Sequence, residues 1–259
     1  MPEPQKLQSD WAWQWQNYED DVRWLFEDWI APNTLEDFRG KRVMDAGCGG
    51  GQHLAMCAPY ARKVIGVDLN AAEIARAKNA AHPNVTVVQG DIATITFDRP
   101  FDIVYCIGVI HHTDDPDATF RNLAKLTASG GRTIIWCYSH EGNFLNRTLV
   151  EWGKKLIVSH LPKPAVRALS HILTTLLYLP IYTIYFLPLR FLPYYEYFQN
   201  FRKLTYARNE LNVFDKLNAP TTYFITKKRL SRWFADNGYD RVSISRYMGA
   251  SWRGSGTKR

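Results

Sequence analysis

No two of the four cysteines form a C-x-x-C pair: they stand at 48, 57, 106 and 137. That spacing excludes a metal site built from paired thiolates and offers no disulfide framework. Cys106 and Cys137 fall inside apolar runs, where a thiol behaves as a small buried hydrophobe. A reducing, cytoplasmic setting is therefore expected. The opening Met1-Pro2-Glu3-Pro4-Gln5-Lys6 has no apolar stretch behind a basic start, so no secretory leader is expected. Internal repeats and low-complexity tracts are absent as well. Acidic residues are scarce in the second half. Residues 1–138 carry 13 Lys and Arg against 18 Asp and Glu, whereas residues 139–259 carry 19 against 7, so the overall charge of +7 belongs to the C-terminal half. That asymmetry fits an anionic partner such as phospholipid, nucleic acid or a phosphorylated substrate, and equally a solvated basic face with no partner.

What the chain does have is apolar material and a glycine loop. With 259 residues and 46% hydrophobic content it suffices for one α/β domain with an insertion. The run Val43-Met44-Asp45-Ala46-Gly47-Cys48-Gly49-Gly50-Gly51 reads as an apolar strand end, an acid, a glycine loop and then helix-forming sequence from Gln52. Glycines let the backbone turn sharply and approach a ligand closely. The following helix directs free N–H groups at that ligand. A dinucleotide fingerprint G-x-G-x-x-G from Gly47 needs glycine at 52, where Gln52 stands, which disfavours a dehydrogenase.

Further landmarks follow in order. Val64-Ile65-Gly66-Val67-Asp68 is a second strand ending in an acid, 23 residues after Asp45, with Leu69 behind it. An acid so placed can accept from both hydroxyls of a ribose. Val85-Thr86-Val87-Val88 leads to Gly90-Asp91-Ile92, and Phe101–Gly108 is a buried strand containing Ile107. A turn at Ala128–Arg132 precedes a fifth strand at Thr133–Trp136. Helices are expected at Ala71–Lys78, capped by Asn70, at Pro116–Thr127 with Phe120, Leu123, Ala124 and Leu126 inward, and at Lys227–Asn237. Strands alternating with helices mean a doubly wound parallel sheet.

The D-x-G-x-G-x-G pattern with these landmarks resembles the class I S-adenosylmethionine-dependent methyltransferases, strongly over residues 36–138. The resemblance implies a seven-stranded Rossmann-like sheet and S-adenosylmethionine as cofactor. It implies that Asp45, Gly47, Gly49 and Gly51 hold the methionine part, that Asp68 meets the ribose, that Asp91 and Ile92 meet the adenine, and that Leu69 and Ile107 are also cofactor-binding. The loop Gly108-Val109-Ile110-His111-His112-Thr113-Asp114-Asp115-Pro116 resembles a motif IV variant of small-molecule enzymes. His111 and His112 are the candidate bases, either of which is structural in many relatives. No N-P-P-Y or Pro-Cys signature of DNA-directed enzymes is present, so no DNA partner is expected, and no metal.

Four segments result: an aromatic cap at 1–35, the cofactor core at 36–138, a helical, aromatic-rich insertion at 139–220 after strand five, and 221–259 completing the core. Trp11, Tyr18, Leu25 and Trp29 are expected on one helical face. Trp15 and Tyr18 are lid candidates, and Tyr138, Tyr194 and Tyr195 acceptor-side candidates. Within the insertion, Ile172–Leu189 lacks any charge, but Pro180 and Pro188 interrupt it. Residues 154–203 suit a peripheral membrane contact on the cytoplasmic face, a wall for an apolar substrate, or a dimer face. The last six residues, Gly254 to Arg259, are expected to be mobile. The leading expectation is methyl transfer to oxygen or carbon of a small, apolar, lipid-linked, saccharide or secondary-metabolite acceptor. The alternatives are an RNA methyltransferase and a non-catalytic cofactor-binding scaffold.

Overall fold

The computed structural model describes residues 4–18 and 22–259, the side chains of 4–10 excepted. Seven strands form one sheet: β1 (Arg42–Ala46), β2 (Lys63–Asp68), β3 (Val85–Gln89), β4 (Phe101–Ile107), β5 (Thr127–Tyr138), β6 (Tyr239–Tyr247) and β7 (Ser251–Lys258). Their order is β3-β2-β1-β4-β5-β7-β6. The first five are parallel, and β7 runs antiparallel to both β5 and β6. The order of winding reverses between β1 and β4, so the crevice for a ligand lies at the carboxyl ends of those two strands.

The helices are α1 (Pro4–Asn17), α2 (Arg23–Ile30), α3 (Gln52–Cys57), α4 (Ala72–Lys78), α5 (Pro116–Leu126), α6 (Glu151–Leu156), α7 (Lys163–Tyr182), α8 (Tyr195–Phe201), α9 (Tyr206–Asn218) and α10 (Lys227–Asp236). Alternate strand residues feed two cores. Val43, Ile103, Tyr105, Ile107 and Ile134 face α2, α3 and α4, while Met44, Val104, Cys106 and Ile135 face α5 and α10. Because helices cover both faces, the strands read as unbroken apolar runs. Asp115 starts α5 by accepting the N–H groups of Asp117 and Ala118. Asp117 then binds the Arg229 guanidinium at 2.9 and 3.0 Å, tying α5 to α10.

The insertion leaves the sheet and returns to the same place. Ser139 and Ile225 form a parallel bridge, and the Ile225 N–H donates to the Tyr138 carbonyl. Between those points lie α6 to α9 and short turns. A third cluster, Tyr18, Val158, Val166, Leu211 and Phe214, joins α7 and α9 to the end of α1.

Several expectations are corrected. Trp11, Tyr18, Leu25 and Trp29 do not share a helix, because α1 ends at Asn17 and α2 begins at Arg23. The boundary at 35 cuts through one packed unit: Leu25, Phe26, Ile30, Leu35 and Phe38 are buried together with Val43 and Tyr105. Asn70 does not cap α4. The Asp68 carboxylate instead holds the turn that leads into it, accepting the N–H groups of Asn70 and Ala71 at 2.9 and 2.8 Å, and the first turn of α4 has no side-chain cap. The fifth strand already starts at Thr127, with a register shift opposite Phe101 to Ile103. Above all, residues 254–258 are not a loose tail but strand β7, between β5 and β6. Their small side chains concealed this. A Cβ on Gly254 or Gly256 would approach Phe234 ring atoms at 2.9 or 2.8 Å, so glycine is what lets α10 close on the sheet. Gly256→Val therefore overpacks this contact and lowers stability by about 1–3 kcal/mol, read as a fall in the urea midpoint at unchanged slope.

Candidate active site

The glycine loop turns between β1 and α3. Gly47, Gly49 and Gly51 have φ of 88°, 51° and 84°, in the region that favours glycine. Their neighbours leave no room for a Cβ. At Gly47 it would lie 2.6 Å from the Val109 side chain, and at Gly51 2.5 Å from Asn79 Nδ2. Asn79, which the sequence did not single out, locks the loop: its amide donates to the carbonyls of Gly51 and Ala75, both at 2.9 Å. On the other side, Asp68 Oδ2 accepts the Gly49 N–H at 2.9 Å.

Asp45 lies beneath the loop, fully buried. Burial pushes its carboxyl well above the usual range, opposed by a hydrogen bond from the Tyr105 hydroxyl. Its Oδ2 has no partner among the described residues. A buried acceptor without a donor, under a loop that excludes side chains, fits the ammonium end of an amino-acid-like cofactor. Asp91 is exposed and accepts the Ala93 N–H at 2.8 Å, so a carboxylate oxygen remains for an adenine edge. Leu69 is exposed and Ile107 is buried at the end of β4. Ile92 departs from its expected role: its side chain belongs to the sheet core at 5% exposure and presents no free apolar face to a ring.

Helix α1 roofs the site. Trp11 and Trp15, one helical turn apart, share a face. Trp15 lies on the glycine loop, where a Cβ at Gly49 would stand 2.6 Å from its indole. Trp11 lies on His112, ring centroids 5.1 Å apart. Another face docks on α9, where Gln14 Nε2 donates to Asp215 at 3.1 Å and Trp13 packs on Phe214. Tyr18 belongs to this docking face and not to a lid. It is buried and donates to Glu210 at 2.9 Å.

The two histidines, in the turn after β4, differ in kind. His111 is wholly buried, and neither ring nitrogen has a partner among the described residues. Burial first, then His112 and Lys216, hold it neutral, well below the ordinary imidazole range. It packs between His112 and Tyr138, with tilted rings whose centroids are 4.2 and 4.3 Å away. His112 Nδ1 lies 2.8 Å from the Thr221 carbonyl. A carbonyl only accepts, so Nδ1 carries the proton and Nε2 has the free lone pair. Nε2 is buried without a partner. Burial lowers the His112 pKa, with Asp215 opposing.

Tyr138 and Tyr194 line an open aromatic cleft, while Tyr195 does not. Trp29, Trp136, Tyr197 and Phe224 add aromatic walls, and Glu151, Asn146 and Lys216 add polar groups. The Tyr138 hydroxyl donates to Asp215 at 3.0 Å, and burial with Asp215 keeps it protonated. Lys216 donates to the Tyr197 hydroxyl at 2.7 Å. Tyr194 is held at φ 60°, a strained setting for a non-glycine residue that aims its ring at this wall. The sequence places Trp29 only on a helical face and does not mark Tyr197, Asp215 or Lys216 as site residues, since no local pattern marks a residue that reaches the site from another segment.

A glycine loop at the winding reversal, an acid at the tip of β2 and an antiparallel β7 together give the chain the fold of the class I S-adenosylmethionine-dependent methyltransferases. Residues 44–135 match the family described as methyltransferase domain. The ubiquinone biosynthesis O-methyltransferase of Coxiella burnetii is 33% identical over 129 residues, covering 48% of this chain and 54% of that protein. Its namesake from Proteus mirabilis is 29% identical over 134 residues, covering 48% and 52%. The chain thus spans about half the length of the curated relatives it matches. An S-adenosylmethionine-dependent methyltransferase structure from Listeria monocytogenes superposes with a TM-score of 0.55 at 19% identity, over 91% of this chain and 97% of that one. An O-methyltransferase family protein from Burkholderia thailandensis has the same TM-score at 12% identity, over 92% and 56%. These two structures share the fold.

Asp68→Ala removes the tether of the glycine loop and of the turn before α4, and is expected to weaken S-adenosylhomocysteine binding at least about tenfold in calorimetric titration. Trp15→Ala is expected to act instead on the dissociation rate, seen by stopped-flow tryptophan fluorescence.

Proposed function

We propose that the protein transfers a methyl group from S-adenosylmethionine to a hydroxyl oxygen of a small, largely apolar acceptor. The observation that carries this reading is the shared roof: α1 places Trp15 on the glycine loop and Trp11 on His112, so cofactor cradle and base are covered together. The aromatic cleft beside them supports an apolar acceptor, and the name of the curated relatives favours oxygen over carbon.

Bound S-adenosylmethionine supplies an activated methyl on a sulfonium, so the protein need only position the nucleophile and take its proton. Asp45 Oδ2 receives the ammonium end. Asp68 Oδ2 keeps a lone pair after accepting from Gly49 and is free for a ribose hydroxyl. His112, in the tautomer set by the Thr221 carbonyl, accepts the acceptor's proton at Nε2, directly or through one water. His111 acts as a neutral spacer that holds His112 against Tyr138. Asp215 holds the Tyr138 wall from behind. Between them, Trp29, Trp136 and Tyr138 exclude water from the transfer path.

Transfer of radiolabelled methyl to a panel of alkyl-substituted phenols tests the reading. Activity is expected with the wild type, and His112→Asn should lower kcat by about 10²–10⁴-fold with cofactor affinity unchanged. Cofactor binding without transfer to any acceptor would favour the scaffold reading.

The base works unprotonated, and its pKa is lowered. The rate should therefore rise with pH through a value below about 6.5 and be level above it. A profile still rising between pH 7 and 9 would rule out His112 as the base.

A further inference from the structure

Helix α7 buries only Val166, Ser170, Thr174 and Ile181 and leaves much of its apolar surface outside. Toward α9 it buries Ser170 and Thr174, whose hydroxyls are satisfied by the carbonyls of Val166 and Ser170. Outward it presents Ile172, Leu176 and Leu179, which are 54, 64 and 72% exposed. Their i, i+4, i+7 spacing makes one apolar stripe. The chain beyond continues it with Phe186 and Phe191, 66 and 81% exposed. Continuous apolar surface of this kind marks a contact site.

Charge identifies the occupant. From Trp152 to Tyr195 there is no aspartate or glutamate, while Lys154, Lys155, Lys163, Arg167 and Arg190 all lie in that stretch. Lys154 is buried against Glu151 and Arg167 pairs with Glu210, but Lys155 and Arg190 are exposed, and apolar side chains flanked by exposed cations complement an anionic lipid interface. Helix α7 is long and apolar enough to cross a bilayer by length and composition. Its other side, however, is fastened to α9: His171 meets Glu210 at 3.1 Å and Asn209 donates to the Tyr178 hydroxyl at 3.0 Å. A helix so held lies on a bilayer and does not pass through it.

We propose that the outward face of α7, with the segment to Phe191, docks the protein on an anionic lipid bilayer. The cleft mouth is close to this surface along the chain: Tyr194 follows Phe191 by three residues. The proposal goes beyond methyl transfer and stands without it.

Co-sedimentation with vesicles of phosphatidylcholine, with and without phosphatidylglycerol, tests it. The wild type should partition at least about tenfold more strongly onto the anionic vesicles. The triple variant Ile172→Ser/Leu176→Ser/Leu179→Ser should lose at least about tenfold of that binding. Lys155→Glu/Arg190→Glu should lose the preference for phosphatidylglycerol. Calorimetric S-adenosylhomocysteine binding, unchanged in the triple variant, separates this surface from the cofactor site. If the triple variant fails to fold, Leu179→Glu alone decides. Wild type left in the supernatant with both vesicle types overturns the proposal, as does a triple variant that binds like wild type. So does a wild-type dimer in light scattering that the triple variant splits, for that assigns the face to a second copy.

Discussion

The carboxylate of Asp68 accepts the N–H of Gly49 on one oxygen and the N–H groups of Asn70 and Ala71 on the other. One side chain at the tip of β2 thereby fixes the glycine loop and the turn before α4. The loop's shape in turn is what Trp15 rests on, and Trp15 sets where α1 lies. With α1 placed, Trp11 reaches His112 and Gln14 reaches Asp215. A carboxylate serving ionised hydrogen bonds to backbone donors is well suited to this, since such bonds are short and directional.

The second hub is Asp215, which receives Gln14 and Tyr138 and stabilises positive charge on His112. It belongs to α9, in the insertion. The insertion is therefore built into the site and is not an appendage: it supplies the anchor for the roof, the support of Tyr138 and, through Tyr194, Tyr197 and Lys216, part of the cleft wall. The return of the chain at Ser139 and Ile225 explains how so long an excursion leaves the sheet undisturbed.

The cofactor half was legible because its signals are local. Strand, acid, glycine loop and helix follow within about ten residues, and each needs its residue type for a reason visible in the chain. The aromatic cleft was legible only in part: Tyr138 and Tyr194 stand out in the sequence, but the residues that hold them in place are distant. Tyr138 and Asp215 are 77 positions apart, and His112 and Thr221 are 109 apart. Strand β7 was misread since Gly254, Ser255 and Gly256 have the composition of a linker, and only the Phe234 ring above them shows why small residues are required. Tyr18 reads as a lid in the sequence because an aromatic residue at a helix end looks alike whether it covers a ligand or a neighbouring helix.

The four thiols are all free and buried, and burial raises the pKa of each. They sit at different depths of the architecture. Cys48 is in the glycine loop, Cys57 at the end of α3 against Tyr105, and Cys106 and Cys137 in the neighbouring central strands β4 and β5. An alkylating reagent can therefore reach them only when the molecule opens, and which one reacts reports how far it has opened. Modification of Cys48 ahead of the strand thiols would register breathing of the loop, whereas simultaneous modification of all four would register loss of the whole sheet. The chain thus contains its own graded reporter of native-state fluctuations, without any introduced label.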